Sequence, residues 1–352
     1  MRMKQWVAAL LGAALFLCSS GCLASSHETF REEQPDRVAV RVLLQEDSAP
    51  TMEQTAQELA RRAELLSSGE LAVEVVPVPN LEAALDAGEG ELYLAENDAL
   101  VSRVPELAMM QLPYLFKNPI ALESALNTDR SRRELEQLLQ GQWPVQLLQT
   151  ASGPITDMLA LSGLELGNYE RRYRVGEERP FFTEEADRSD LTSVGVPMEG
   201  QSPQEMLRQN LLDLAPVRLD ELSETMTGPL GEWMVLCSAH QVEPVYLLAD
   251  QESFGRLTGR QQAALQEASV RAAGYGQTLW TQQRQHILES WEQAGAVVQS
   301  VNAEKYFSIL QEIYQYHPQW VQGGFSPTLA RYIRIDAVTV SADEGINDHF
   351  KE

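Results

Sequence analysis

Residues 98–116, DALVSRVPELAMMQLPYLF, follow an apolar run of strand character, ELYLA at 91–95, and close on Leu112, Pro113, Tyr114, Leu115 and Phe116. Pro113 forbids an unbroken helix, because it lacks a backbone N–H and its ring clashes with the preceding turn. A short helix entering VPEL is therefore expected to give way to an apolar turn. Tyr114 and Phe116, two residues apart, suit an extended segment with both rings on one side. Outward from this stretch, RVAVRVLL at 37–44 alternates as a strand does. Residues 51–66 carry Met52, Ala56, Leu59, Ala60, Ala63 and Leu66 on one helical stripe, punctuated by Pro50 and Gly69. The Val-rich run 71–78 reads as a buried strand, 81–85 as a short helix ended by Gly88 and Gly90, and 92–95 as a third strand. Strand and helix alternating at this spacing predict a parallel sheet with crossover helices.

Gln45, Glu46 and Asp47 stand at the end of the first strand, and Glu96, Asn97 and Asp98 at the end of the third. In open α/β sheets ligands collect at strand ends, so Gln45, Glu46, Glu96 and Asn97 are candidate ligand-binding positions, with a solvated turn as the alternative.

The first 21 residues have the form of a targeting segment: Arg2 and Lys4, an apolar core from Val7 to Leu17, then Ser19, Ser20, Gly21 and Cys22. Small residues before a Cys resemble a bacterial lipoprotein cleavage site, which would make Cys22 the lipid-carrying first residue, although Ser19 stands where that pattern prefers Leu. Residues 22–36 are polar and aperiodic and read as a tether. Cys18 would leave with the signal, so Cys237, in the apolar run WMVLC, is read as a buried structural thiol with no disulfide partner.

The order strand, helix, strand, helix, strand and then PEL…LPYLF resembles the extracytoplasmic solute-binding proteins of TRAP transporters (tripartite ATP-independent periplasmic transporters). The resemblance covers 37–150 and 233–316. It implies a two-lobed, periplasmic-binding-protein-like α/β fold with a long hinge-spanning helix. Lobe 1 is expected over 37–148 with parts of 233–256, lobe 2 over 149–232 with parts of 257–316, and a C-terminal extension over 317–352. It also implies a pocket rim at Thr150, Ala151, Ser152 and Gly153, which, with Tyr114, adds Ser152 and Tyr114 to the candidate ligand contacts.

The chain departs from that family at its carboxylate clamp. Many members place an Arg two residues after the rim Gly; this chain has Ile155. Reading Val196 and Pro197 as the family's Val-Pro pair puts Gly195 where a second Arg would grip an organic acid through two parallel charge-assisted bonds. Arg171, Arg172, Arg174 and Arg179, in the long polar connection 163–189, are the candidates to substitute. That connection reads either as a flap or as a surface elaboration. Beyond a helix from Pro203, Glu221 and the run Gly228 to Glu232 match the family one residue out of step. Trp233 falls near a lost ligand-facing Asn, either as a pocket wall or as core.

In the last third, 244–249 reads as a returning strand and His240 beside it as structural. Residues 257–295 form one amphipathic stretch capped by Thr258, with Gly274 and Gly276 as possible bends. Residues 296–301 read as a strand and 303–316 as a helix.

The balance of 27 basic against 51 acidic residues argues against nucleic-acid binding. No His or Cys pair falls at metal-ligand spacing, no Gly-rich phosphate loop follows a strand and there is no GxSxG elbow, so neither enzyme activity, metal nor cofactor is expected. The reading is an extracytoplasmic lipoprotein, lipid-anchored to a bacterial membrane. It would close its lobes on a small solute, an organic acid in much of the family, and pass it to membrane permease subunits. The alternative is a lipoprotein of the same fold that senses or contacts another surface protein and transports nothing.

Overall fold

The structure is a computed structural model that describes residues 37–165, 172–178, 180–183, 193–226, 228–301 and 304–333. Strands β1 (Val38–Gln45), β2 (Leu71–Val78) and β3 (Leu92–Glu96) run parallel, with helices α1 (Pro50–Leu66) and α2 (Leu81–Ala87) as crossovers. Asn80 caps α2 by accepting from the Ala83 N–H at 2.9 Å, and Gly88 ends it in the left-handed region that a side chain would resist. The sheet continues antiparallel through two long strands, β4 (Val145–Leu161) and, after β5 (Tyr173–Glu177), β6 (Ser193–Pro197) and β7 (Ala215–Arg218), β8 (Trp233–Asp250). β9 (Val297–Ser300) pairs with β8, giving seven strands in all with the order β2-β1-β3-β8-β4-β7 and β9 beside β8; β5 and β6 form a separate parallel pair.

Period-2 alternation places successive residues of each strand in different cores. Val40, Val42, Leu92, Leu94, Val245 and Leu247 face α1 and the long helix α9 described below, whereas Leu43, Tyr93, Tyr246 and Leu248 face the opposite layer. That second layer contains α2, α3 (Asp98–Val101), the 3-10 turn Pro105–Gln111, α4 (Pro119–Leu126) and α5 (Asp129–Gln140). The other half of β4 and β8 repeats the pattern: Leu159, Trp233 and Val235 lie in one cluster and Met158, Ala160, Met234 and Leu236 in another. Each large apolar side chain so buried contributes about 1.5–3 kcal/mol. The result is a two-lobed α/β fold in which β4 and β8 run through both halves of the sheet.

After α6 (Pro203–Arg208), α7 (Leu219–Thr225) and α8 (Gln251–Arg256), α9 (Gly259–Gln293) spans 35 residues, about 50 Å of helix. Its start is a capping box: Thr258 accepts from the Gln261 N–H and Gln261 Oε1 from the Thr258 N–H. Leu265, Ala268, Ala272 and Trp280 pack in the core with β1 and β3, while Ile287, Leu288 and Trp291 pack with β7 and Trp233. One rigid element therefore holds both halves.

Several expectations change. Residues 112–118 are turn rather than extended chain, and Tyr114 takes φ +51°. Long-range contacts hold it there: its N–H donates to the His240 carbonyl at 2.7 Å and its ring meets His240 edge-on at 5.1 Å. Between α4 and α5 the chain turns at Asn127, whose amide bonds the backbone of Thr150 in both directions. The amphipathic stretch 257–295 begins at Gly259, behind the separate helix α8, and runs unbroken through Gly274 and Gly276.

Gly276 serves packing, since a Cβ there would lie 2.7 Å from Thr55 Oγ1 of α1, whereas Gly274 meets nothing within 4 Å. Gly276→Val is expected to destabilise the protein by about 1–3 kcal/mol through overpacking. Gly274→Ala is expected to be neutral or to stabilise by up to about 1 kcal/mol. Chemical denaturation of the two variants checks this, and equal effects would remove the packing role. Of the C-terminal part, α10 (Glu304–Tyr316) and residues 318–333 send Leu310, Ile313, Tyr314, Val321, Leu329 and Ile333 into the core beside Leu107. A weak sequence pattern concealed this, because the apolar partners lie some two hundred residues away.

Candidate ligand-binding cleft

Two adjoining cavities, of about 460 Å³ and about 780 Å³, open between the halves and share Asp98, Arg218 and Glu221. The first lies at the ends of β1 and β3 and is bounded by Gln45, Leu94, Glu96, Asp220 and Gln283. The second extends past Thr156, Phe181, Met198, Gln241 and Glu243. Volumes of this size suit small molecules.

Arg218, the last residue of β7, stands at the junction. Its Nη1 contacts Glu96 Oε2 at 3.2 Å, its Nη2 Asp220 Oδ2 at 2.9 Å and its Nε Glu221 Oε1 at 3.0 Å. Its guanidinium also lies over the Trp280 ring of α9, 5.8 Å from the centroid. Burial alone would lower the arginine's pKa, but the bonds to Asp220 and the charges of Asp220, Glu96 and Glu221 outweigh it and raise it. Glu96 and Glu221 are both pushed up, chiefly by desolvation and against the pull of Arg218. The Glu96–Arg218 pair thus joins the end of β3 to the end of β7 across the cleft.

Glu243, on β8, is 9% exposed and lines the larger cavity. Its carboxylate makes no hydrogen bond or ion pair among the described residues. Desolvation, with Asp98 and Glu96 nearby, raises its carboxyl to about 8 despite Arg218. Asp98 accepts from the Gln111 amide, and Gln241 donates to the Gln111 carbonyl, so one face of this cavity is a bonded polar wall.

The candidate residues separate. Gln45 and Glu96 line the smaller cavity; Gln45 is braced there, donating to the Pro79 carbonyl at 2.7 Å and accepting from the Leu81 N–H at 2.9 Å. Glu46 is exposed beside it and lines neither cavity. The other four non-glycine candidates face inward. Asn97 is fully buried, donating to the Leu107 carbonyl and accepting from Tyr246 Oη at 3.1 Å. Ser152 lies inside β4, which passes through the expected rim without a break, and both its N–H and its hydroxyl bond Glu123 Oε1 at 2.9 and 3.1 Å. Tyr114 is in the apolar core, and Trp233 is wholly buried beneath the Arg208 guanidinium. These four are structural in this arrangement because their polar atoms or rings are used within the fold. Gly195 pairs with Val175 in the small sheet, where a Cβ would run into the Glu177 carboxylate.

Among the proposed replacement arginines, Arg174 is held by Asp213 at 3.0 Å and by Asn210, away from the cavities. Arg171 and Arg179, like Cys22 and the tether, lie outside the described residues. Arg218 was missed by sequence reasoning, and the signal was local: an Arg ending a short strand, followed at once by Asp220 and Glu221.

No protein-family model and no curated protein matches the sequence. Solved structures do match. A TRAP periplasmic solute-binding protein from Rhodobacter sphaeroides, in an apo open form, superposes with TM-score 0.70 at 15% identity, over 86% of this chain and 99% of the other. One from Ochrobactrum anthropi, with its own C-terminus bound in the ligand pocket, gives 0.66 at 14%, over 90% and 99%. The fold is that of the TRAP periplasmic solute-binding proteins. The sugar-acid-binding protein of Advenella mimigardefordensis in complex with galactonate shares it at TM-score 0.59 and 15% identity, over 87% and 99%. At such identities a TRAP-type fold is what these proteins have in common with this chain. Among the described residues, no helix is long and apolar enough to cross a membrane.

Proposed function

We propose that this chain is an extracytoplasmic solute-binding protein that captures a small molecule in the cleft around Arg218 and delivers it to a TRAP-type membrane permease. In this reading the chain is anchored outside the cell by lipid on Cys22, and residues 22–36 are the tether. The observation that carries it is the polar, Arg218-centred cleft at the ends of β1, β3 and β7, between sheet halves joined by β4, β8 and α9. Gln45 and Glu96 are proposed ligand contacts, and Glu243 and Thr156 join them. The lobes follow the cores: one around β1 to β3 with α10, the other around β6, β7 and the end of α9.

Solute bound to both halves would favour the closed form by its differential affinity for it. The galactonate complex supports capture of small molecules by this fold. A thermal-shift screen across organic acids, amino acids, amines and neutral sugars tests the reading. A true ligand at a hundredfold its Kd adds about 2.7 kcal/mol and should raise Tm by several degrees. If no class of compound moves Tm, solute capture is wrong, and a contact or sensing role for the same fold takes its place.

A further inference from the structure

We infer that the solute is a small organic cation bearing an amine or guanidinium, held through N–H donors by Glu243, Asp98 and Glu221. This deepens the solute-binding reading and rests on it. Among the described residues, the two cavities are lined by seven carboxylates, including Asp47 and Glu178, against one cation, Arg218. That cation is already engaged by Glu96, Asp220 and Glu221, so an incoming carboxylate would have to displace one of them.

The acidic lining alone would be an ordinary solvated surface. Glu243 makes the difference: a nine-tenths buried carboxylate on a central strand faces the larger cavity with no side-chain partner among the described residues. Burying such a group unpaired is costly, and the cost is relieved when a cation arrives. Thr156, 5% exposed as a residue, lines the same space.

The geometry narrows the class. No group of three or more His, Cys, Asp or Glu among the described residues is placed to hold a metal ion, which disfavours a bare divalent cation. Quaternary ammonium groups are gripped by aromatic cages, and here Phe181 is the one aromatic ring among the described residues that line the larger cavity. Carboxylates instead reward N–H donors with short charge-assisted bonds. Met198, Val217 and Leu222 offer an apolar wall for the hydrocarbon part of such a solute.

Titration calorimetry on the full chain tests this with putrescine, agmatine and spermidine. The comparison compounds are galactonate, pantoate and sn-glycerol 3-phosphate, then glucose, then calcium and magnesium chloride. Saturable binding of an amine or guanidine is expected, weakened at least about thirtyfold in Glu243→Gln. Asp98→Asn, checked with Glu243→Gln for native circular dichroism, should also weaken it. Binding of acids, glucose or metal ions with no amine bound would overturn the inference and leave solute capture standing. Amine binding unchanged in both variants would overturn the assignment of the site. Silence from these probes and from the broad thermal-shift screen together would overturn solute capture and this inference with it.

Discussion

Asp157→Ala should destabilise the protein by about 3–5 kcal/mol. Asp157 is completely buried in β4 and accepts four hydrogen bonds: from Arg284 Nε at 2.6 Å and Nη2 at 2.9 Å, and from the N–H groups of Ser238 and Ala239 at 3.0 and 3.2 Å. It therefore fastens both long strands to α9 where all three pass from one half to the other. Arg284 is itself mostly buried, and although desolvation pulls its pKa down, the bonds to Asp157 raise it. Removing the carboxylate leaves that guanidinium without its counter-charge and two backbone N–H groups without acceptors. The double variant Asp157→Leu with Arg284→Leu should lose less than the sum of the single ones, because the unpaired charge disappears with its partner. Urea denaturation of the three variants measures this, and simple additivity would show that the pair is not coupled.

Glu243→Gln should stabilise the protein increasingly as pH rises, reaching about 3–5 kcal/mol near pH 8. The folded carboxyl titrates at about 8 against an ordinary 4.5, chiefly from desolvation, with Asp98 on α3, Glu96 on β3 and Glu221 on α7 adding and Arg218 on β7 opposing. A raised folded pKa means that the native state holds its proton longer than the unfolded chain. Its stability is then fully present below pH 4.5 and is lost as pH climbs towards 8. The Gln variant removes that loss while keeping the side chain's shape. His240 acts in the opposite direction: burial lowers it to about 4, so stability is lost as pH falls from 6.5 towards 4 in wild type and variant alike. The difference between the two proteins isolates Glu243. Denaturation midpoints at pH 5, 6.5 and 8 supply the measurement, and parallel profiles would mean that the carboxyl is ionised in the fold. The same loss is what a bound cation would reverse, which links this stability profile to solute capture.

Local pattern was enough for the elements whose contacts are periodic and near in sequence. β1, α1, β2, α2 and β3 follow from period-2 and period-3.6 alternation with Pro and Gly at the joints, and the start of α9 from the Thr258 cap. The lengths of β4 and β8 did not, because they rest on pairing between segments far apart in the chain: Thr150, Ala151 and Ser152 with Tyr246, Val245 and Pro244, and Thr156 with Gln241. The turn at Tyr114 was likewise set by His240, more than a hundred residues away.

The sequence by itself determined the parallel α/β beginning, the long helix and the strand ends where a cleft would lie, since these depend on the order of apolar residues along the chain. Gln45 and Glu96 apart, tertiary structure decided what lines that cleft. It turned Asn97, Ser152, Tyr114 and Trp233 into the interior, and brought Arg218 against Glu96 across 122 positions. It also left Glu243 facing open space. Charge and burial at a site are properties of side chains that meet from distant segments, and no local pattern encodes which of them will meet.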